Sequence, residues 1–109
     1  MKCITAFVVC MFLLSPVFAA DPPASQIAIN EYMYAPATLN ISAGTKVTWV
    51  NHDEVPHTIV DSGPDKVFHS AALDTDETYS YTFTKPGTYH YFCTLHPKMV
   101  GTIVVADAK

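Results

Sequence analysis

The sequence predicts an all-β chain, a small antiparallel Greek-key β-sandwich or barrel of seven to eight strands. Three observations carry this. Short runs alternate apolar and polar residues with period two, as half-buried strands do. Turn signals built from Gly, Pro, Asn and Asp recur roughly every 8–12 residues, the spacing of small all-β sandwiches. No stretch after the N-terminal segment keeps the 3.6-residue apolar period of an amphipathic helix.

The elements follow in order. Residues 1–20 read as a cleaved signal peptide. Lys2 supplies the positive start, residues 4–14 are almost continuously apolar, and Ser15-Pro16 breaks the run before the small-residue pattern Val17-Phe18-Ala19. That run is too short to span a membrane, and no other stretch approaches the required length. Residues 21–109 are then one domain, opening on a Pro-rich lead-in. Residues 26–30 alternate as a first strand. Pro36, after Tyr34-Ala35, interrupts any ladder there. Leu39-Asn40-Ile41 alternates up to the turn Ser42-Ala43-Gly44-Thr45, and residues 46–51 alternate again with Val47 and Trp49 on one face. A polar loop over 51–55 runs into Pro56-His57, after which Thr58-Ile59-Val60 resumes strand character. Residues 61–76 are the least regular, with a turn at Ser62-Gly63-Pro64-Asp65 and a short helical piece or loop at Ser70-Ala71-Ala72-Leu73. Residues 78–84 form the cleanest alternating strand, its aromatics on one face. Lys85-Pro86-Gly87-Thr88 is a tight reversal. The strand over 89–93 puts Tyr89, Tyr91 and Cys93 on one face, and residues 100–105 form the last strand.

Charge excludes some classes of partner. Without the leader, five lysines and no arginine face ten carboxylates. That acidic balance disfavours nucleic acid and anionic membrane surfaces. Cys3 and Cys10 leave with the leader, so Cys93 is the only remaining thiol and no disulfide can form within the chain. A lone thiol in an oxidising compartment is either buried as an inert side chain or bound to metal.

The segment Cys93-Thr94-Leu95-His96-Pro97-Lys98-Met99 favours metal. A thiol, an imidazole and a thioether recur at every third position. In a strand, residues three apart point to opposite faces, so the segment must curl into a loop to aim all three at one point. Pro97 assists by biasing His96 away from helix. Such a soft N/S set suits copper better than zinc, calcium or magnesium, and a His2Cys site with a distant Met needs a second imidazole. His90 points away from Cys93 if the strand alternates; His52 sits beside Asp53 and Glu54 in a solvated-looking loop; His69 falls in the irregular region. His57 lies where a loop enters the sandwich, a junction that offers a fixed backbone and a buried flank, and the residues favour it.

The runs Val47-Thr48-Trp49-Val50-Asn51, Pro56-His57-Thr58 and Tyr91 through Met99, with Tyr34-Ala35-Pro36 and Ala43-Gly44-Thr45 upstream, resemble the cupredoxin (blue copper) family. The two-residue spacers Cys-x2-His-x2-Met resemble its amicyanin branch. The resemblance implies one type 1 copper held by His57, Cys93, His96 and Met99. It also implies a monomeric periplasmic electron carrier that is not an enzyme. A redox partner, a dehydrogenase or a cytochrome, would dock at an apolar patch of Leu95, His96 and Pro97. Thr58 stands where amicyanins carry an asparagine that ties the ligand loops together, and a hydroxyl can do only part of that work. A rival reading is a carrier delivering copper to an exported acceptor; against it, there is no Cys-x-x-Cys pair, and Met33 and Met99 are the only methionines beyond the leader. A second copper for catalysis has no His-x-His pair to hold it. Asp74, Asp76 and Glu77 read as a solvated loop before they read as a steering surface.

Overall fold

The computed structural model describes residues 24–108, so the signal peptide expected over 1–20 lies outside the described residues. Eight strands form: β1 (Ala24–Asn30), β2 (Met33–Ala35), β3 (Thr38–Ser42), β4 (Thr45–Asn51), β5 (Val60–Asp61), β6 (Thr78–Phe83), β7 (Gly87–Phe92) and β8 (Val100–Ala106). They build two four-stranded sheets, ordered β2-β1-β4-β6 and β3-β8-β7-β5. The sandwich expected from the strand spacing is present. Within it two pairs are parallel, β1 with β4 and β3 with β8, because the chain leaves each sheet and returns between the paired strands.

Sequence reasoning did not find β2. It follows a two-residue turn at Glu31-Tyr32, both residues at positive φ, and pairs back on β1 from Asn30↔Met33 to Ala28↔Ala35. Pro36 then ends the ladder, and the chain crosses to the other sheet as β3. The strand expected at 58–60 is shorter and later, at Val60–Asp61. The cause is local: Ile59 N donates to Ser70 Oγ, and Ser70 N donates to Ile59 O, so the irregular segment occupies this backbone. Residues 70–73 form no helix, and the segment contributes Phe68 and Leu73 to the core.

Alternation places Ile27, Ile29, Val47, Trp49, Phe83, Tyr91, Ile103 and Val105 between the sheets. Trp49 is the centre, with Phe68 stacked at 6.0 Å and Tyr91 edge-on at 5.6 Å between ring centroids. Each such side chain, fully buried, stabilises the fold by roughly 1.5–3 kcal/mol. Gly101 pairs with Tyr91 across β7 and β8, and the Tyr91 ring lies where a Cβ at 101 would stand. A glycine there lets the ring reach the core.

Candidate metal centre

The loop after β7 curls as the ligand spacing requires. Cys93 N donates to Met99 O (3.0 Å), His96 N to Cys93 O (3.2 Å) and Met99 N to His96 O (2.9 Å). Two successive three-residue reversals therefore return Met99 beside Cys93, and both side chains are buried. Strand β7 stops at Phe92, one residue short of the sequence expectation, which frees Cys93 to begin the loop.

His57 reaches the same place from the other sheet connection. Its N–H and C=O both bond the backbone of Leu73, at 3.1 and 2.8 Å, and its side chain is fully buried. His57 Nδ1 lies 3.7 Å from Cys93 Sγ. Its Nε2 faces Asp53 Oδ2 at 2.7 Å. A carboxylate accepts here, so Nε2 carries the proton and Nδ1 presents its lone pair to the thiol.

In the sequence Asp53 stands beside the solvated His52 and gives no sign of a role at the site; the structure turns its side chain inward to His57. Its carboxylate also accepts from Glu31 N (2.7 Å) and Tyr32 N (2.9 Å). Burial pushes the Asp53 carboxyl up, but the bonds from Tyr32, His57 and Glu31 outweigh it and hold the group below its ordinary value. Asn51 shapes the loop that carries it: Asn51 Oδ1 accepts from Asp53 N, and Nδ2 donates to Val55 O and Leu73 O. The four-residue interval from Asp53 to His57 was the available signal, readable only once the loop is known to fold back.

Thr58 ties the two loops. Its Oγ1 accepts from Thr94 N at 2.8 Å and lies 2.8 Å from Thr94 Oγ1 and 3.7 Å from Cys93 Sγ. One proton and two lone pairs serve all three contacts if Thr94 donates twice and Thr58 donates to sulfur. Thr58 N also donates to Sγ, at 3.4 Å. Burial pushes the Cys93 thiol up; hydrogen bonds donated to sulfur, led by Thr58 N with Thr58 Oγ1 and Leu95 N, outweigh this and lower it overall, favouring the thiolate that binds metal.

The His96 ring lies 5.1 Å from that of His57 and is partly exposed. The other histidines lie elsewhere: His52 faces Asp76 at 3.9 Å, His90 contacts Thr102 on the outer face of β7, and His69 is exposed. Among the described residues, no three His, Cys, Asp or Glu side chains close into a cage by themselves. The chain offers a facing pair, His57 and Cys93, with His96 adjacent. Two donors at ~2.0 and ~2.3 Å from one ion subtending about 120° stand roughly 3.7 Å apart. The observed separation matches, and the thiol–imidazole pair with a nearby thioether is the donor chemistry of copper.

A two-sheet sandwich with imidazole and thiol facing each other at one end defines the blue copper class. The chain belongs to that family: the cupredoxin-like domain model matches residues 3–105. It is similar to amicyanin-alpha of Methylorubrum extorquens, 37% identical over 95 residues that cover 84% of this chain and 80% of the relative. It is also similar to amicyanin of Paracoccus versutus, 38% identical over 96 residues, covering 83% and 72%. Among solved structures, a purple cupredoxin from Nitrosopumilus maritimus matches with TM-score 0.71 and 35% identity, covering 75% of this chain and 99% of that one. A copper-containing nitrite reductase from Thermus scotoductus matches with TM-score 0.75 and 32% identity over 86% of this chain, but this covers only 25% of the reductase.

Proposed function

We propose that this chain is an exported, monomeric electron carrier, most simply of the bacterial periplasm, that holds one copper through His57, Cys93, His96 and Met99. The observation that carries the reading is the 3.7 Å approach of His57 Nδ1 to Cys93 Sγ, both buried and both fixed by neighbours. Bound copper would supply a one-electron Cu(II)/Cu(I) couple. Asp53 holds His57 in the tautomer that leaves Nδ1 free. The two N–H and O–H contacts from Thr58 favour Cys93 as thiolate, and the Cys93–Met99 backbone bond keeps the loop closed. Ligands fixed in this way move little between oxidation states, so rearrangement adds little to the barrier. Support for export comes from the leader pattern of residues 1–20.

His96 lies between Leu95, half exposed, and Pro97, also exposed, and its partly exposed ring is the exit for the electron. The redox partner, a dehydrogenase or cytochrome, docks on this patch; a small interface suffices for such encounters. No part of this reading requires a substrate cleft, and the chain corresponds to only a quarter of the nitrite reductase it resembles. The deciding experiment is the visible spectrum of the copper-loaded protein. An intense thiolate-to-Cu(II) band is expected, absent in Cys93→Ser; a copper protein without that band would defeat the proposal. Leu95→Glu should keep the band and slow electron exchange with a redox protein. Rapid transfer of copper itself to an acceptor protein would instead favour the carrier reading.

A further inference from the structure

We propose that Tyr32, held in place by Asp53, is a positioning residue that restrains the ring of His96 by edge-to-face contact. The turn that carries it is unusual. Glu31 and Tyr32 join β1 to β2 as a two-residue loop with φ of 52° and 59°. Such mirror-image turns favour Asn and Gly, since a side chain at positive φ is strained. Strain of this kind persists where surrounding structure imposes it and gathers at functional sites. Here the imposing group is the Asp53 carboxylate, which takes both turn N–H groups and also His57 Nε2. One side chain thus sets the tautomer of His57 and the place of Tyr32.

The strained turn delivers an aromatic ring to the two imidazoles. The Tyr32 ring stands nearly perpendicular to both, at 5.4 Å from His57 and 4.9 Å from His96 between centroids, within the range of favourable edge-to-face contact. Core packing does not account for it, because Tyr32 is 50% exposed. His57 is already fixed by Asp53 and its own burial. His96 sits on an exposed loop, and its ring packs against Tyr32 and His57. The ring most in need of restraint is the one that Tyr32 approaches more closely.

The consequence for metal retention rests on the ligand assignment above; the ordering of the His96 ring does not. The test therefore has two arms. In the metal-free protein, 13C relaxation of the His96 ring reports its order in wild type, Tyr32→Phe, Tyr32→Leu and Tyr32→Asn. Order is expected to persist in Tyr32→Phe and to fall in the other two. Tyr32→Asn, which tolerates positive φ, should melt no lower than wild type, separating ring restraint from fold stability. In the copper-loaded protein, release to a chelator should be roughly 2- to 10-fold faster in Tyr32→Leu and Tyr32→Asn, and near wild type in Tyr32→Phe. Unchanged His96 order in Tyr32→Leu and Tyr32→Asn would overturn the proposal. Altered ring order with equal release rates would retain the positioning role and refute its consequence for copper. Failure of the wild type to bind copper would count against the ligand assignment, while ring order still decides the role of Tyr32.

Discussion

Asp53 shows how much one side chain of this site decides. Its three acceptor contacts join the β1–β2 turn to His57, so Asp53→Ala should free the imidazole tautomer and loosen the turn together. Copper affinity is expected to fall about 10- to 100-fold, read by chelator competition. The same variant carries a pH signature. The folded carboxyl lies below its ordinary value near ~3.9, so its contribution to stability is present above that pH and is lost as pH falls through the lower folded value. The difference in Tm between metal-free wild type and Asp53→Ala should therefore be constant near neutrality and begin to shrink in acid below about pH 4; a difference that grows as pH falls through that range would contradict it. Thr58→Val removes the acceptor for Thr94 N and the hydroxyl near sulfur, at a cost of about 1 kcal/mol in urea unfolding. Thr58→Ser should largely restore it. From the family resemblance, Thr58 reads as a weakened substitute for asparagine; the structure shows its hydroxyl bridging Thr94 and Cys93 directly.

At the scale of elements, the register of β7 on β8 is the most demanding. Tyr91 sits opposite Gly101, and a methyl group at 101 would overlap the Tyr91 ring. That ring is wedged between Tyr34 at 4.6 Å and Trp49 at 5.6 Å and has nowhere to swing. Gly101→Ala should therefore lower stability by about 1–3 kcal/mol, seen as a reduced urea midpoint with unchanged slope. Strands β1, β3, β4, β6, β7 and β8 were legible because each has one buried face and therefore alternates. Strand β2 was not, because three residues are too few to show a period and its turn lacks the usual Asn-Gly signal. The 68–73 segment was illegible for another reason: its backbone hydrogen bonds run to His57, Ile59 and Asp61 as isolated bridges rather than as a continuous ladder, and no local pattern announces a partner that far away.

Across the whole molecule, the interior of the sandwich keeps its phenols neutral. Burial raises the Tyr91 phenol to about 12; among the described residues neither its hydroxyl nor Trp49 Nε1 has a hydrogen-bond partner within range, and desolvation is the dominant cause. Burial raises Tyr34 further, assisted by the nearness of Cys93 and Tyr91, while its hydroxyl donates to Thr58 O at 2.6 Å. Both groups have folded values above their unfolded one, so their contribution to stability is complete below about pH 10 and declines above it by roughly 1.4 kcal/mol per pH unit for each. Alkaline titration followed at 295 nm should show two of the six tyrosines ionising only as the chain unfolds. Free titration of all six with the fold intact would contradict this.

The sequence by itself determined the all-β class, the buried faces of the long strands, and the loop chemistry of Cys93, His96 and Met99, because alternation and ligand spacing are local properties. Its residues favoured His57 among five histidines, through its place at a loop–strand junction, and the family resemblance implied it as a ligand. Only the tertiary structure decided what surrounds those residues. Asp53 behind His57, Thr58 across from Thr94, and Tyr32 over both imidazoles come from three separate segments. Their meeting depends on β1 lying parallel to β4 and on β7 closing against β8, and long-range pairing of that kind leaves no periodic trace in the chain.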